Sequence, residues 1–163
     1  MNLSEEVLMG VAGVAIALIG FSGVVTALGR RGSGKWSPAE TLQLTTLVNP
    51  CIVTLYAAFV PIGLGLVTAD AEIIWRASNA AVFVGHTSGF AAFLRRGSKD
   101  TILLTQKIWS AITVVVLIAT LTSSLGLFRW HQFTFFLGLV LGIGVSLQNF
   151  YILLFPANGI SSR

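Results

Sequence analysis

The sequence predicts an all-α fold, a polytopic transmembrane helical bundle with five membrane-spanning helices. Three observations carry that prediction. Five apolar stretches fill most of the 163 residues, each close to the ~20 residues that cross a hydrocarbon core. Charged residues make up 10% of the chain and hydrophobic ones 55%, at a mean hydropathy of +0.86, whereas a soluble domain is about 25% charged. The basic residues between the stretches also fall on alternate sides of the membrane. The 17 glycines suit helices that approach one another closely in lipid.

The whole of 1–163 reads as one integral membrane domain. The first helix is predicted over 5–28, where Ser4 can cap it and Glu5 and Glu6 suit the positive end of its dipole. Those glutamates stand where a secretory signal would carry Lys or Arg, so this helix is expected to be retained. Gly29-Arg30-Arg31-Gly32-Ser33-Gly34-Lys35 should end it. Ser37-Pro38-Ala39-Glu40 then has the order of a helix start, with Ser as cap, Pro at the first position and Glu returning to the cap. A second helix over 38–68 would be about 46 Å long at 1.5 Å per residue. That exceeds a core of about 30 Å, so it must tilt or bend, with Pro50 and Pro61 as the places to do so. Asp70 and Glu72 mark a short acidic turn before a third helix over 73–94, closed by Arg95-Arg96-Gly97-Ser98-Lys99. Asp100 can cap a fourth over 101–127. Arg129-Trp130-His131 forms an interfacial turn before a fifth over 133–155, which Pro156 and Gly159 stop.

Eight basic residues (Arg30, Arg31, Lys35, Arg95, Arg96, Lys99, Lys107, Arg163) fall on one side of this arrangement, and Arg76 and Arg129 on the other. The positive-inside rule then places the amino terminus outside and the carboxyl terminus in the cytoplasm of a multi-pass protein of the cell (plasma or inner) membrane. The echo between residues 25–33 and 90–98, both ending in Arg-Arg-Gly-Ser, has the form of a parallel repeat. Topogenic arginines beside a flexible Gly-Ser account for it without duplication.

Polar residues inside apolar stretches are costly and therefore informative. Arg76, Asn79, Phe83, His86 and Phe90 are spaced 3, 4, 3 and 4 apart and fall within an arc of about 80° on the third helix. His86 has no Asp or Glu in any apolar core to pair with, so a neutral imidazole bonded to a neighbouring helix competes with a proton-handling or ligand-binding role. Arg76 reads as an interfacial residue paired with Glu72. On the second helix Asn49 precedes Pro50, where a freed carbonyl can bind an ion or substrate or be met by a neighbour, and Tyr56 lies on the same face. Gly138, Gly142, Ser146 and Asn149 form a small-residue track on the fifth helix; Gly10, Gly13, Ala17 and Gly20 form a looser one on the first. Either track suits contacts within the bundle or between subunits.

Other strings carry no chemistry. Gly32-Ser33-Gly34-Lys35 lacks the spacing of a phosphate loop, the two histidines stand 45 positions apart, and no hydroxyl has an acid or base to activate it. No metal, cofactor or nucleic-acid partner is expected, because the net charge of +4 sits in topogenic loops. Cys51, the single cysteine, reads as a buried thiol. The composition thus points to a non-enzymatic membrane protein, an accessory subunit whose partners are the bilayer and either a second copy or another membrane protein. The alternative is an oligomeric channel or transporter for protons, ions or a small solute.

The topology is open to test. Cysteines placed at Ser33 and Ser98 should be labelled only from the cytoplasmic side and one at Ala71 only from outside; labelling of Ser33 and Ala71 from the same side would overturn it.

Overall fold

The computed structural model describes residues 3–33, 37–97 and 104–154. Five helices follow in order: α1 (Glu5–Ser33), α2 (Pro38–Gly65), α3 (Ala71–Arg96), α4 (Leu104–Ser124) and α5 (His131–Leu154). α2, α3, α4 and α5 form a ring in which α3 and α5 also touch across the middle, and α1 packs outside on α2 and α5. The core is small-residue and aliphatic: Leu8 and Ala12 of α1, Ala57 and Ala58 of α2, Val82 of α3, and Phe135 and Leu139 of α5. Ala15, Leu18 and Cys51 continue it along the α1–α2 contact, and Cys51 is fully buried.

Four helices are long and apolar enough to cross a membrane: Glu5–Ala27, Glu40–Gly65, Leu104–Ser124 and His131–Leu154. Only 28–33% of their apolar windows is buried inside the protein, so their outer faces need an apolar solvent, and the chain is membrane-compatible. The expected five spans are therefore corrected to four among the described residues. α3 falls short because Arg76, Ser78, Asn79, His86, Thr87 and Ser88 lower its hydropathy. α3 packs against three neighbours, which bury its Ser78, Asn79 and His86, so these polar groups meet protein rather than lipid.

Several ends differ from the sequence expectation for identifiable reasons. α1 continues past Leu28 to Ser33, since Arg30 and Arg31 are good helix formers and one Gly costs only about 1 kcal/mol. α2 starts as expected: Ser37 Oγ accepts from Glu40 N–H and Glu40 returns to the Ser37 N–H, a complete capping box. It ends at Gly65 rather than Thr68. α3 begins at Ala71, because the Asp70 carboxylate accepts from the N–H groups of Glu72 and Ile73, so Glu72 belongs to the first turn and not to a loop. α4 stops at Ser124 in a Schellman turn: Leu127 N–H donates to Thr122 O and Gly126 N–H to Ser123 O. Gly126 takes φ +77° there, a value glycine adopts without penalty. α5 starts at His131 rather than Phe133, with Thr134 N–H donating to Trp130 O. Residues 101–103 and 155, the expected ends of the last two helices, lie outside the described residues, as do the proposed cap Asp100 and the stop at Pro156 and Gly159.

The α5 track lets α2 and α3 come close. Gly138, Gly142, Ser146 and Asn149 are all buried. A Cβ at Gly138 would collide with Val82, and one at Gly142 with the Thr54 hydroxyl while lying 3.1 Å from Pro50 O. Ser146 Oγ donates to Leu47 O at 2.7 Å and to Gly142 O at 2.8 Å. Pro50 has no N–H and removes the helical partner of Thr46 O, and the Ser146 bond to Leu47 O falls in the same turn. By contrast, Gly10, Gly13 and Gly20 of α1 face outward with no atom near.

Gly142→Ala should therefore lower thermal stability in detergent by about 1–3 kcal/mol, the usual cost of overpacking, whereas Gly89→Ala, with open space around it, should be nearly neutral. Equal midpoints for the two variants would contradict the close approach at Gly142.

Candidate functional site

Two polar centres lie on α3, seven residues or about 10 Å apart. The first is a closed hydrogen-bond network around Asn79. Asn79 Nδ2 donates to Trp75 O and His131 O, both at 2.8 Å. Thr134 Oγ1 lies 3.0 Å from Asn79 Oδ1 and 2.9 Å from Ser123 Oγ, which is 2.8 Å from His131 Nδ1. Thr134 Oγ1 also lies 3.2 Å from Trp130 O and 3.0 Å from His131 O, so its single proton is shared among several acceptors, Asn79 Oδ1 among them. Asn79, Ser123 and Thr134 are at most 1% exposed. This centre stitches α3, α4 and α5 together, and its polar groups are used up in doing so.

Arg76 has a similar part beside it. Its Nε donates to Ser124 O at 3.1 Å, and its guanidinium lies 3.0 Å from where a Gly126 Cβ would be. A cation over the last carbonyls of α4 suits the negative end of that helix. The 3.3 Å pair with Glu72 is half-exposed and adds little.

The second centre is a cavity of about 60 Å³ between α2, α3, α4 and α5, toward the end that carries Arg95 and Arg96. His86, 7% exposed, lines it. Its Nε2 lies 3.0 Å from Gly138 O, and a carbonyl can only accept, so Nε2 carries the proton and Nδ1 keeps its lone pair. No further hydrogen bond reaches that ring among the described residues. Gln148 enters from α5; its amide nitrogen and oxygen are both buried and both without a partner. Phe90, Phe93 and Trp109 supply aromatic walls, with the two phenyl rings stacked at 6.3 Å. Gly144 leaves the room that the Trp109 ring occupies, since a Cβ there would lie 2.6 Å from it. Nearer the Arg96 end, Gln106 Nε2 donates to Asn149 Oδ1 at 3.1 Å.

The sequence candidates thus separate. His86 lines the cavity. Asn49 lines an adjoining groove between α2 and α3 that shares Thr46, Pro50, Gly89 and Phe93 with it. Asn79 and Arg76 belong to the closed end. Tyr56 is on the outside of the bundle, 71% exposed, because the inner face of α2 is Leu47, Cys51, Thr54, Ala57 and Ala58. Gln106 and Gln148 were not singled out by sequence; two glutamines near the ends of the fourth and fifth apolar stretches were the available signal. Between the two centres, Val82, Phe135 and Leu139 are fully buried and form a dry plug. A wider hollow of about 540 Å³ at the opposite end is lined by Glu72, Trp75, Arg129, Trp130 and His131. It has the composition of an interfacial aromatic belt and contains no buried unpartnered group, so the smaller cavity is the stronger site.

Fold and site together define, over the described residues, an all-helical, membrane-compatible bundle with a largely apolar pocket between its helices that carries a few polar groups. Comparison with protein-family models, curated proteins and solved structures found no match to this chain.

Thr134→Val keeps the shape but strands Asn79 Oδ1 and Ser123. It should cost about 0.5–2 kcal/mol, read as a lower unfolding midpoint in detergent, and Asn79→Leu should cost no less. An unchanged midpoint for both would mean that the network does not tie the helices.

Proposed function

We propose that this protein is a non-enzymatic, multi-pass subunit of a membrane assembly, with its amino terminus outside and its carboxyl terminus in the cytoplasm of a cell membrane. The observation that carries this reading is the outer face of α1. Gly10, Gly13, Gly20 and Gly23 have no atom within 4 Å of an added Cβ, while Leu8, Ala12, Ala15 and Leu18 make the contact with the bundle. These glycines share the outer face with the exposed Met9, Ile16 and Val24, and small residues between larger apolar ones form notches into which the side chains of a second helix fit, because small residues let backbones approach.

The plug of Val82, Phe135 and Leu139 favours a binding or assembly role over conduction, since a protomer with a dry segment between its two polar centres has no continuous polar path. The basic asymmetry of the loops supports the orientation.

Two experiments test the reading. In a mild detergent the protein mass of the native particle, with bound detergent subtracted, should exceed the 17.3 kDa of one chain, and Gly13→Leu with Gly20→Leu should return that protein mass to a single chain without lowering the unfolding midpoint. A native particle of one chain, or one that the substitutions leave intact, would overturn it. Vesicles carrying the purified protein should show no proton flux between about pH 5 and 8, the range over which a histidine changes charge; a flux abolished by His86→Gln would favour the transport alternative instead.

A further inference from the structure

The cavity beside His86 has unused hydrogen-bonding capacity of a definite kind. His86 Nδ1 and Gln148 Oε1 are acceptors, and Gln148 Nε2 is a donor; none has a protein partner among the described residues. Leaving such groups unmet in a low-dielectric interior costs free energy for each one. Thr46, Ser110 and Thr113 give their protons to carbonyls of their own helix, so toward the cavity their oxygens can only accept. The lining therefore offers several acceptors and, from Gln148, the two N–H donors of one amide, a complement for a molecule that both donates and accepts.

Size and charge narrow the occupant. A cavity of about 60 Å³ has room for roughly four or five water-sized groups, so a solute of about four to six non-hydrogen atoms fits. No Asp, Glu, Lys or Arg lines it, and an unpaired ion there would be expensive, so the occupant is uncharged. Phe90, Phe93 and Trp109 form flat apolar walls that suit a thin molecule polar at its edges. The groove between α2 and α3 continues from this cavity past Asn49 to the exposed Arg96, which gives a route from that end of the bundle. On the other side, Val82 and Leu139 are fully buried and close it.

We propose that this dead-ended pocket binds a small neutral solute that both donates and accepts hydrogen bonds, of the urea or glycerol kind, with His86 Nδ1 and Gln148 Oε1 accepting from it and Gln148 Nε2 donating to it. Urea carries its four N–H donors and its carbonyl acceptor in one plane, and each glycerol hydroxyl both donates and accepts. This assignment stands independently of the assembly role.

Gly89 offers a clean test. It lines both the cavity and the groove, and a Cβ there meets nothing within 4 Å, so Gly89→Leu starts its side chain in open space and directs its bulk at the passage. The experiment is saturation-transfer NMR on the purified full chain in detergent, titrated separately with urea and with glycerol. Wild type should give saturable transfer to at least one. Urea alone would identify a planar amide as the occupant, and glycerol alone a polyol. Gly89→Leu and Gln148→Leu should each weaken it by about tenfold or more, with unfolding midpoints no lower than wild type. Should Gly89→Leu fail to fold, Gln148→Leu, which removes only unpartnered polar atoms, carries the comparison. No saturable transfer to either solute in wild type, which would leave water as the sole occupant, overturns the assignment. So does binding that survives both substitutions.

Discussion

The close contact of α5 with α2 and α3 at Gly138 and Gly142 is the constraint on which the rest of the bundle depends. Neither position has space for a single further carbon: Val82 fills the first, and Thr54, His86 and Pro50 surround the second. This approach brings His86 within reach of Gly138 O, Ser146 within reach of Leu47 O and Thr134 within reach of Asn79. In hydrocarbon, where water cannot substitute for a lost partner, each of these bonds exists only because the backbones are near. The glycines come first in the causal order and the polar contacts follow from them.

Polar groups are distributed unevenly along the bundle as a result. At the end that carries Glu72 and Arg129, Asn79, Thr134, Ser123 and His131 are joined in one hydrogen-bond network, and Arg76 covers the end of α4. At the other end Gln106 and Asn149 pair, but Gln148 and one face of His86 do not. Stability is concentrated in the first region and unused hydrogen-bonding capacity in the second, the division expected when a site is held by a rigid scaffold.

Much of this was legible in the residues. Hydropathy located all five helices, Ser37-Pro38-Ala39-Glu40 gave the start of α2, and the Gly138–Asn149 track identified a buried face. What sequence could not supply was orientation about each helix axis. Tyr56 and Asn49 share a side of α2 by spacing, yet the buried side is set by Leu47, Cys51, Thr54 and Ala58, and α2 is apolar enough all round that periodicity does not choose between them. The count of spans erred on α3 for a related reason. Its polar stripe is visible in the spacing, but only the packing shows that three neighbours bury Ser78, Asn79 and His86 of the helix that carries it. Gln148 escaped notice because an unpartnered amide is a property of its surroundings, not of its residue type.

The Ser146 hydroxyl has one proton and two carbonyls at nearly equal distance, Leu47 O on α2 and Gly142 O on its own helix. A shared proton gives each acceptor less than a full hydrogen bond, and Leu47 lies in the turn that Pro50 has already weakened. Pro50 also borders both the cavity and the groove, so the turn of α2 whose carbonyls are least well satisfied stands where the two hollows meet.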